Sequence, residues 1–394
     1  MPSPPTGSLP PHTAADAPEA FRVEAGTGPD ALVRADLAVA LPPGHPAGHG
    51  SLRLRLDVSG DTIVNADPVV GMVHRGAEKL FEARDYRQIL TLANRHDWLA
   101  GFAGELGVAL VVEEALGLEV PERAVWIRMA LAEVSRIAHH LAFLAAFPSE
   151  VGEPFAVHPA PERELLSRLV QEATGGRMHP MYIRLGGLRA DLPMGWVARA
   201  RHTVAAVRAG LERIVGPLRD ERLRGVGPLP AAVALGYGVS GPTARASGIE
   251  VDLRRDATYL RYAELFTDVG PGRVVTRPEG DVAARLACLA EEVEVSCALV
   301  EACLDRLDPG PVNVRLPKVV RVPEGSWYAA TESPLGAAGV LLVSRGEPRP
   351  WRLALRTPSF AHVAVLAELL AGVPLSDLAA VLASVCFVLG DVDK

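Results

Sequence analysis

Apolar residues follow two rhythms along this 394-residue chain, and the change between them comes near Val73. Before that point they alternate with polar ones. Ser51, Leu52, Arg53, Leu54, Arg55, Leu56, Asp57 and Val58 keep a strict two-residue period, the mark of a half-buried strand. Residues 37–41 and 62–64 read the same way, so 21–70 is expected to form a small β region. After Val73 the repeat becomes helical. Helices are predicted over 94–116, from Pro121 to about position 147, and over 161–173, 193–215, 280–307, 359–370 and 376–383. Pro121 suits a first turn, where its missing N–H costs nothing. Ile127, Leu131, Val134 and Ile137 mark the core stripe of one helix; Leu286, Leu289, Val293, Cys297, Val300 and Leu304 mark another. Residues 340–343 and 351–355 alternate around Arg345-Gly346-Glu347-Pro348 and predict a hairpin. The pattern as a whole is α+β, mainly α.

Between 37–41 and 52–58 lies Pro42-Pro43-Gly44-His45-Pro46-Ala47-Gly48-His49-Gly50. Its prolines and glycines exclude a helix and suit a tight reversal, which puts His45 and His49 on a hairpin tip. Alone, such a tip reads as a surface turn with two solvated histidines.

Composition narrows the function classes. Hydrophobic residues make up 49% and charged residues 22%, as in a globular protein with an ample core. The net charge of −7 offers no basic field to a phosphate backbone, so no nucleic-acid partner is expected. The Pro- and Ala-rich residues 1–20 read as a disordered tail without a signal peptide, and no apolar run is long enough to span a bilayer. Cys288, Cys297, Cys303 and Cys386 contain no CxxC pair, so this chain is expected to hold no zinc or iron–sulfur site of its own. Phosphate-loop and nucleophile-elbow motifs are missing as well.

Seven stretches taken together carry a resemblance: GHPAGHGSLRL (44–54), GMVHRGAEKL (71–80), VPERAVWIRMALAEVSRIAHHL (120–141), YIRLGGLRADLP (182–193), GVSGPTARASGIEVDLR (238–254), RTPSFAHV (356–363) and the ending GDVDK. In this order they resemble the D-type subunit of bacterial respiratory complex I, the hydrogenase-derived subunit of NADH:quinone oxidoreductase. The resemblance runs from about residue 35 to Lys394. It implies a fold like the large subunit of nickel–iron hydrogenases, with an N-terminal β-sheet and a long helix bundle, 21–70 and 71–394 forming one structural unit. It also implies a peripheral place on the cytoplasmic side of the cell membrane, and neighbours: a cluster-bearing subunit, a small C-type subunit and a membrane subunit that completes the quinone tunnel. NADH would act only through other subunits. The substrate implied is a quinone, and the 4Fe-4S cluster that feeds it would belong to a partner, with no cofactor bound by this chain alone.

The resemblance also assigns residues. His49 matches the loop histidine that faces a quinone carbonyl, and Glu150 matches the acid held against it, where the family usually has Asp. A carboxylate there is expected to raise the imidazole pKa and keep a proton available. Trp98 stands where the family has a tyrosine; its indole has one N–H to offer a carbonyl but no ionisable hydroxyl. Arg95 and His179 match groups beside the partner's cluster, where positive charge favours the reduced form. Plainer readings stand beside these: a solvated acid at Glu150, a core aromatic at Trp98, a surface ion pair at Arg95 and a helix-end histidine at His179.

Some positions depart from the family. Where hydrogenases carry two cysteine pairs, this chain has Asp97, Ala100, Val388 and Asp391, which excludes nickel–iron chemistry. Leu335 and Ala337 follow Glu332-Ser333-Pro334 where the family has charges, and a segment usual after Pro309-Gly310 is missing. These departures keep open a structural or assembly paralogue, or a related complex fed by another electron donor.

Overall fold

Leu54, Leu56 and Val58 are fully buried, so the alternation that predicted a strand also states which face meets the core. In the computed structural model, which describes residues 21–26, 37–39, 45–152 and 160–394, the N-terminal strands are β1 (Phe21–Ala25), β2 (Leu37–Val39), β3 (Arg53–Ser59) and β4 (Thr62–Val69). The predicted tail at 1–20 and loop residues 42–44 lie outside the described residues.

The sheet order is β2-β1-β3-β4, and it corrects the hairpin reading. β1 lies between the two strands that flank the histidine loop, pairing Val23 with Leu37 in parallel and with Leu56 antiparallel. The two strands that flank the loop therefore lie on either side of β1, and the loop's histidines are buried rather than solvated, with His45 4% and His49 1% exposed. Five residues of Phe-Arg-Val-Glu-Ala gave too short a pattern for β1 to be recognised.

Five long helices follow: α1 (Gly101–Leu116), α2 (Glu122–Glu150), α3 (Ala160–Thr174), α4 (Trp196–Val215) and α5 (Val282–Leu304). α2 and α5 pack along each other at the centre, with α3 against both α2 and α4. Both predicted apolar stripes are buried. α2 also buries Arg128, Glu133, Arg136, His139 and His140, polar residues that an amphipathic reading sends to solvent. They pair internally: Arg128 donates to both carboxylate oxygens of Glu113 on α1, at 2.8 and 2.7 Å.

Two boundaries differ from prediction and matter for the site. Residues 94–100 are irregular, and α1 starts only at Gly101, because the Asp97 carboxylate accepts the N–H groups of Leu99 and Ala100 at 3.1 Å each. At its other end α2 runs through Pro148 to Glu150; the proline gives up its own N–H bond and crowds the carbonyl four residues back. The turn still closes, with the Val151 N–H donating to the Phe147 carbonyl at 3.2 Å, and carries Glu150 to the histidine loop.

Near the C-terminus, β5 (Glu324–Ser333), β6 (Gly336–Arg345) and β7 (Arg352–Arg356) form an antiparallel sheet. The predicted hairpin is β6 with β7, and β5, which no alternation predicted, completes the sheet. The predicted helices over 359–370 and 376–383 appear as shorter pieces, Pro358–Ala364, Leu366–Leu369 and Leu378–Ser384. The C-terminal turn Leu389–Val392 closes on the histidine loop, with the Leu389 N–H donating to the Ala47 carbonyl at 3.0 Å. Among the described residues no helix is long and apolar enough to cross a membrane.

Candidate functional site

The histidine loop holds itself in shape. Ala47 N–H donates to His45 Nδ1 at 3.1 Å, which fixes that nitrogen as an acceptor, and Gly48 N–H donates to the His45 carbonyl at 2.9 Å. Gly48 sits at φ 81°, a left-handed conformation suited to glycine, and a Cβ there would stand 3.2 Å from the Trp98 ring. The imidazoles of His45 and His49 stack in parallel, centroids 3.6 Å apart, between Phe143 of α2 and Phe387.

Glu150 Oε2 lies 3.7 Å from His49 Nδ1, with both side chains nearly inaccessible to water. That separation exceeds a hydrogen bond; the contact is electrostatic. The predicted effect on the imidazole is reversed. Burial lowers the His49 pKa from 6.5 to about 3, and His45 likewise, with His49 adding to burial and Glu150 opposing it. Glu150 is shifted upward, again by burial first. Loss of water disfavours the charged form of each partner, so the balance moves toward a neutral imidazole and a protonated carboxyl.

Trp98, in the irregular entry to α1, is half-buried. Its indole N–H donates to the Pro46 carbonyl at 2.8 Å, so the donor expected to meet a ligand carbonyl is already engaged with the loop. The ring is wedged against Gly48 and Gly390. Neighbouring Asp97 is buried and carries a pKa raised to about 8, by burial first and by Asp391 second. Asp97, Ala100 and Asp391, three of the four positions assigned to absent cysteines, line one cavity of about 30 Å³ together with His96, whose Nε2 is 3.6 Å from Asp391 Oδ1.

Arg95 is exposed and reaches Met181 Sδ at 3.7 Å. His179 stands near it: burial lowers its pKa, and Arg95 lowers it further. A cavity of about 210 Å³ lies beside both segments, lined by Trp98, Leu99, His139, Arg163 and Met178 among others. The structure therefore gathers His49, Trp98 and Glu150 around the histidine loop and brings Arg95 and His179 together as a second pair. The four cysteines are free and buried, with Cys288 and Cys297 pushed up to about 12 by burial.

Sequence reasoning missed the stacking of His45, the carboxyl pair at Asp97 and Asp391, and a buried charge cluster joining Glu133, Arg136, Arg245, Asp252, Arg254, Glu292 and Glu332. One signal for the cluster was available, namely several charges and two adjacent histidines on an otherwise apolar helix.

The fold and this arrangement define the class. A chain of the archaeal respiratory membrane complex described as membrane-bound sulfane sulfur reductase is 33% identical, with a TM-score of 0.83, over 89% of this chain and 96% of that one. This is the architecture of a respiratory-complex subunit. The family described as "Respiratory-chain NADH dehydrogenase, 49 Kd subunit" matches residues 155–321 and 316–394. A D-type NADH-quinone oxidoreductase subunit of Salinispora tropica is 53% identical over 91% of this chain and 93% of its own length; its counterpart in Streptomyces coelicolor is 52% identical over 91% and 95%. The chain belongs to this family of D-type NADH-quinone oxidoreductase subunits, and so to a multisubunit, membrane-associated oxidoreductase.

Proposed function

We propose that this chain shapes the quinone site of an NADH:quinone oxidoreductase, in which electrons from a 4Fe-4S cluster held by a neighbouring subunit reduce a membrane quinone, coupled to proton translocation. The observation that carries the proposal is the buried contact of His49 with Glu150 at 3.7 Å, on a loop pinned by Trp98. A quinone accepts hydrogen bonds through its carbonyls and must gain protons as it is reduced. A neutral His49 has one N–H to donate, and a Glu150 carboxyl shifted toward protonation stands behind it to restore the proton. Trp98 contributes by holding the loop that carries His49. Arg95 and His179 form the face toward the partner's cluster, where the exposed guanidinium favours a reduced, more negative centre.

On this reading the neighbours are the cluster-bearing subunit, the small C-type subunit and a membrane subunit that completes the quinone tunnel, with this chain peripheral on the cytoplasmic side. Residues 21–70 and 71–394 act as one unit, supported by the Ile63 N–H donating to the Val373 carbonyl at 2.9 Å. A second reading, a related complex with another electron donor or a structural paralogue, draws on the engaged indole N–H and the archaeal neighbour. The higher identity to NADH-quinone oxidoreductase subunits favours the first.

The test is His49→Ala in membranes where this chain is the sole subunit of its type. Inhibitor-sensitive NADH-to-quinone electron transfer is expected to vanish while electron flow from NADH to artificial acceptors persists. Undiminished quinone turnover refutes the assignment.

A further inference from the structure

We propose that the adjacent imidazoles of His139 and His140 form a proton relay between the cavity beside Trp98 and the buried charge cluster around Arg245. It deepens the quinone reading by naming a proton route, and it depends on that reading only where quinone turnover is the readout.

The tautomers follow from the contacts. His140 Nε2 lies 3.2 Å from Glu292 Oε2, and Glu292 is held ionised by Arg245 and by His140 itself, against the cost of burial. A carboxylate brings no proton, so His140 Nε2 must donate. In a neutral ring this leaves His140 Nδ1 bare. That nitrogen faces His139 Nδ1 at 3.4 Å, and two bare lone pairs would repel, so His139 carries its proton on Nδ1. His139 Nε2 is then an acceptor, and it meets no partner although the ring is buried.

His139 lines the cavity of about 210 Å³, room for roughly seven waters at ~30 Å³ each. The cavity also touches Ser135, Ser167 and Arg163. His139 Nε2 is closed to water at rest, so a proton enters as the cavity lining opens onto it and forms a bond to Nε2; the Nδ1–H bond of His139 breaks as one forms to His140 Nδ1. His139 returns to neutral in its other tautomer, and His140 becomes an imidazolium against Glu292. Run outward, the same shifts deliver a proton to the cavity.

The cluster beyond His140 suits this end point. Its ion pairs join four carboxylates, Glu133, Asp252, Glu292 and Glu332, to three guanidiniums, Arg136, Arg245 and Arg254. With all of them ionised one carboxylate is uncompensated, and an unpaired buried charge is costly. Glu332, across Arg245, is the member that burial and Asp252 push toward protonation. An imidazolium at His140 is favoured by Glu292 and opposed by burial, Arg136 and Arg245; at His139 it is opposed by burial, His140, Arg136 and Arg163. Both rings are therefore biased toward the neutral state, so an extra proton held on either is disfavoured.

The experiment uses the assembled complex. Infrared spectra of the wild-type complex with isotopically labelled histidine are expected to show a buried ring protonated on Nδ1, its signal lost in His139→Asn. Asparagine donates one hydrogen bond to His140 but cannot pass a proton through itself. Quinone reduction in that variant should fall by about 100-fold, the scale of one proton-transfer group, most steeply at alkaline pH. In His139→Gly, imidazole added to the medium should restore it by occupying the cavity. A wild-type His139 protonated on Nε2, or a variant with unchanged rate, pH profile and solvent isotope effect, overturns the relay. Should the wild-type complex reduce no quinone, the functional reading fails, and the tautomer measurement still decides the relay on its own.

Discussion

Replacing Trp98 separates two roles for the indole: ligand to the substrate or clasp on the histidine loop. Trp98→Phe deletes the N–H that meets the Pro46 carbonyl at 2.8 Å, leaving that acceptor without its donor. Such a loss costs about 1–3 kcal/mol. Because each 1.4 kcal/mol is a factor of ten, loop opening should become roughly 5 to 150 times more frequent. The direct assay is hydrogen exchange at the Gly48 and Ala47 amides, which bond within the loop to the His45 carbonyl and ring. Both should exchange faster in the variant. Trp98→Tyr is the sharper case. A phenol carries its hydroxyl at the far end of the ring rather than at the side where the indole N–H meets the Pro46 carbonyl, and it leaves part of the space that the larger ring fills between Gly48 and Gly390. Quinone reduction is therefore expected to fall or stay flat with tyrosine, even though the family has tyrosine there. A raised rate in Trp98→Tyr, or unchanged exchange in Trp98→Phe, would refute the clasp.

Other outcomes follow from the same geometry. Gly390→Ala would place a Cβ 2.5 Å from the Trp98 ring, so thermal unfolding of the complex should come earlier than in wild type. His49 and His45 have pKa values lowered to about 3, so the unfolded chain binds more protons than the folded one between pH 6.5 and about 3. Stability should be intact above pH 6.5 and decline as pH falls through that window, and replacing His49 with Gln should flatten the decline; denaturant titrations at stepped pH measure it. Asp97 has the opposite sign. Its pKa is raised to about 8, so it costs stability as pH rises from about 4 to 8. Asp97→Asn should accordingly stabilise the fold relative to wild type more at pH 8 than at pH 5. Arg245→Met leaves Glu292 and Glu332 buried without their shared partner, a loss of about 3–5 kcal/mol, readable as failure to co-purify with the neighbouring subunits.

The order of elements was legible in the chain because periodicity records which face is buried. The two-residue rhythm of 51–58 became β3, and the stripes through Ile127 and Leu286 became the central faces of α2 and α5. Motifs in a fixed order pointed to the family, and they singled out His49 and Glu150 as neighbours across about a hundred residues, which the 3.7 Å contact reproduces. What periodicity cannot carry is pairing at a distance. β1 inserts between β2 and β3 through backbone bonds that leave no mark on side-chain order. The charged residues of α2 look solvent-facing until Arg254, more than a hundred residues later, meets Glu133, and Glu113 of α1 meets Arg128. The protonation of His49 was likewise decided by the tertiary structure. Sequence supplied a carboxylate that favours the charged ring, but the depth of burial, to which Phe143, Phe387 and the C-terminal turn contribute, removes the water that charge requires and outweighs it.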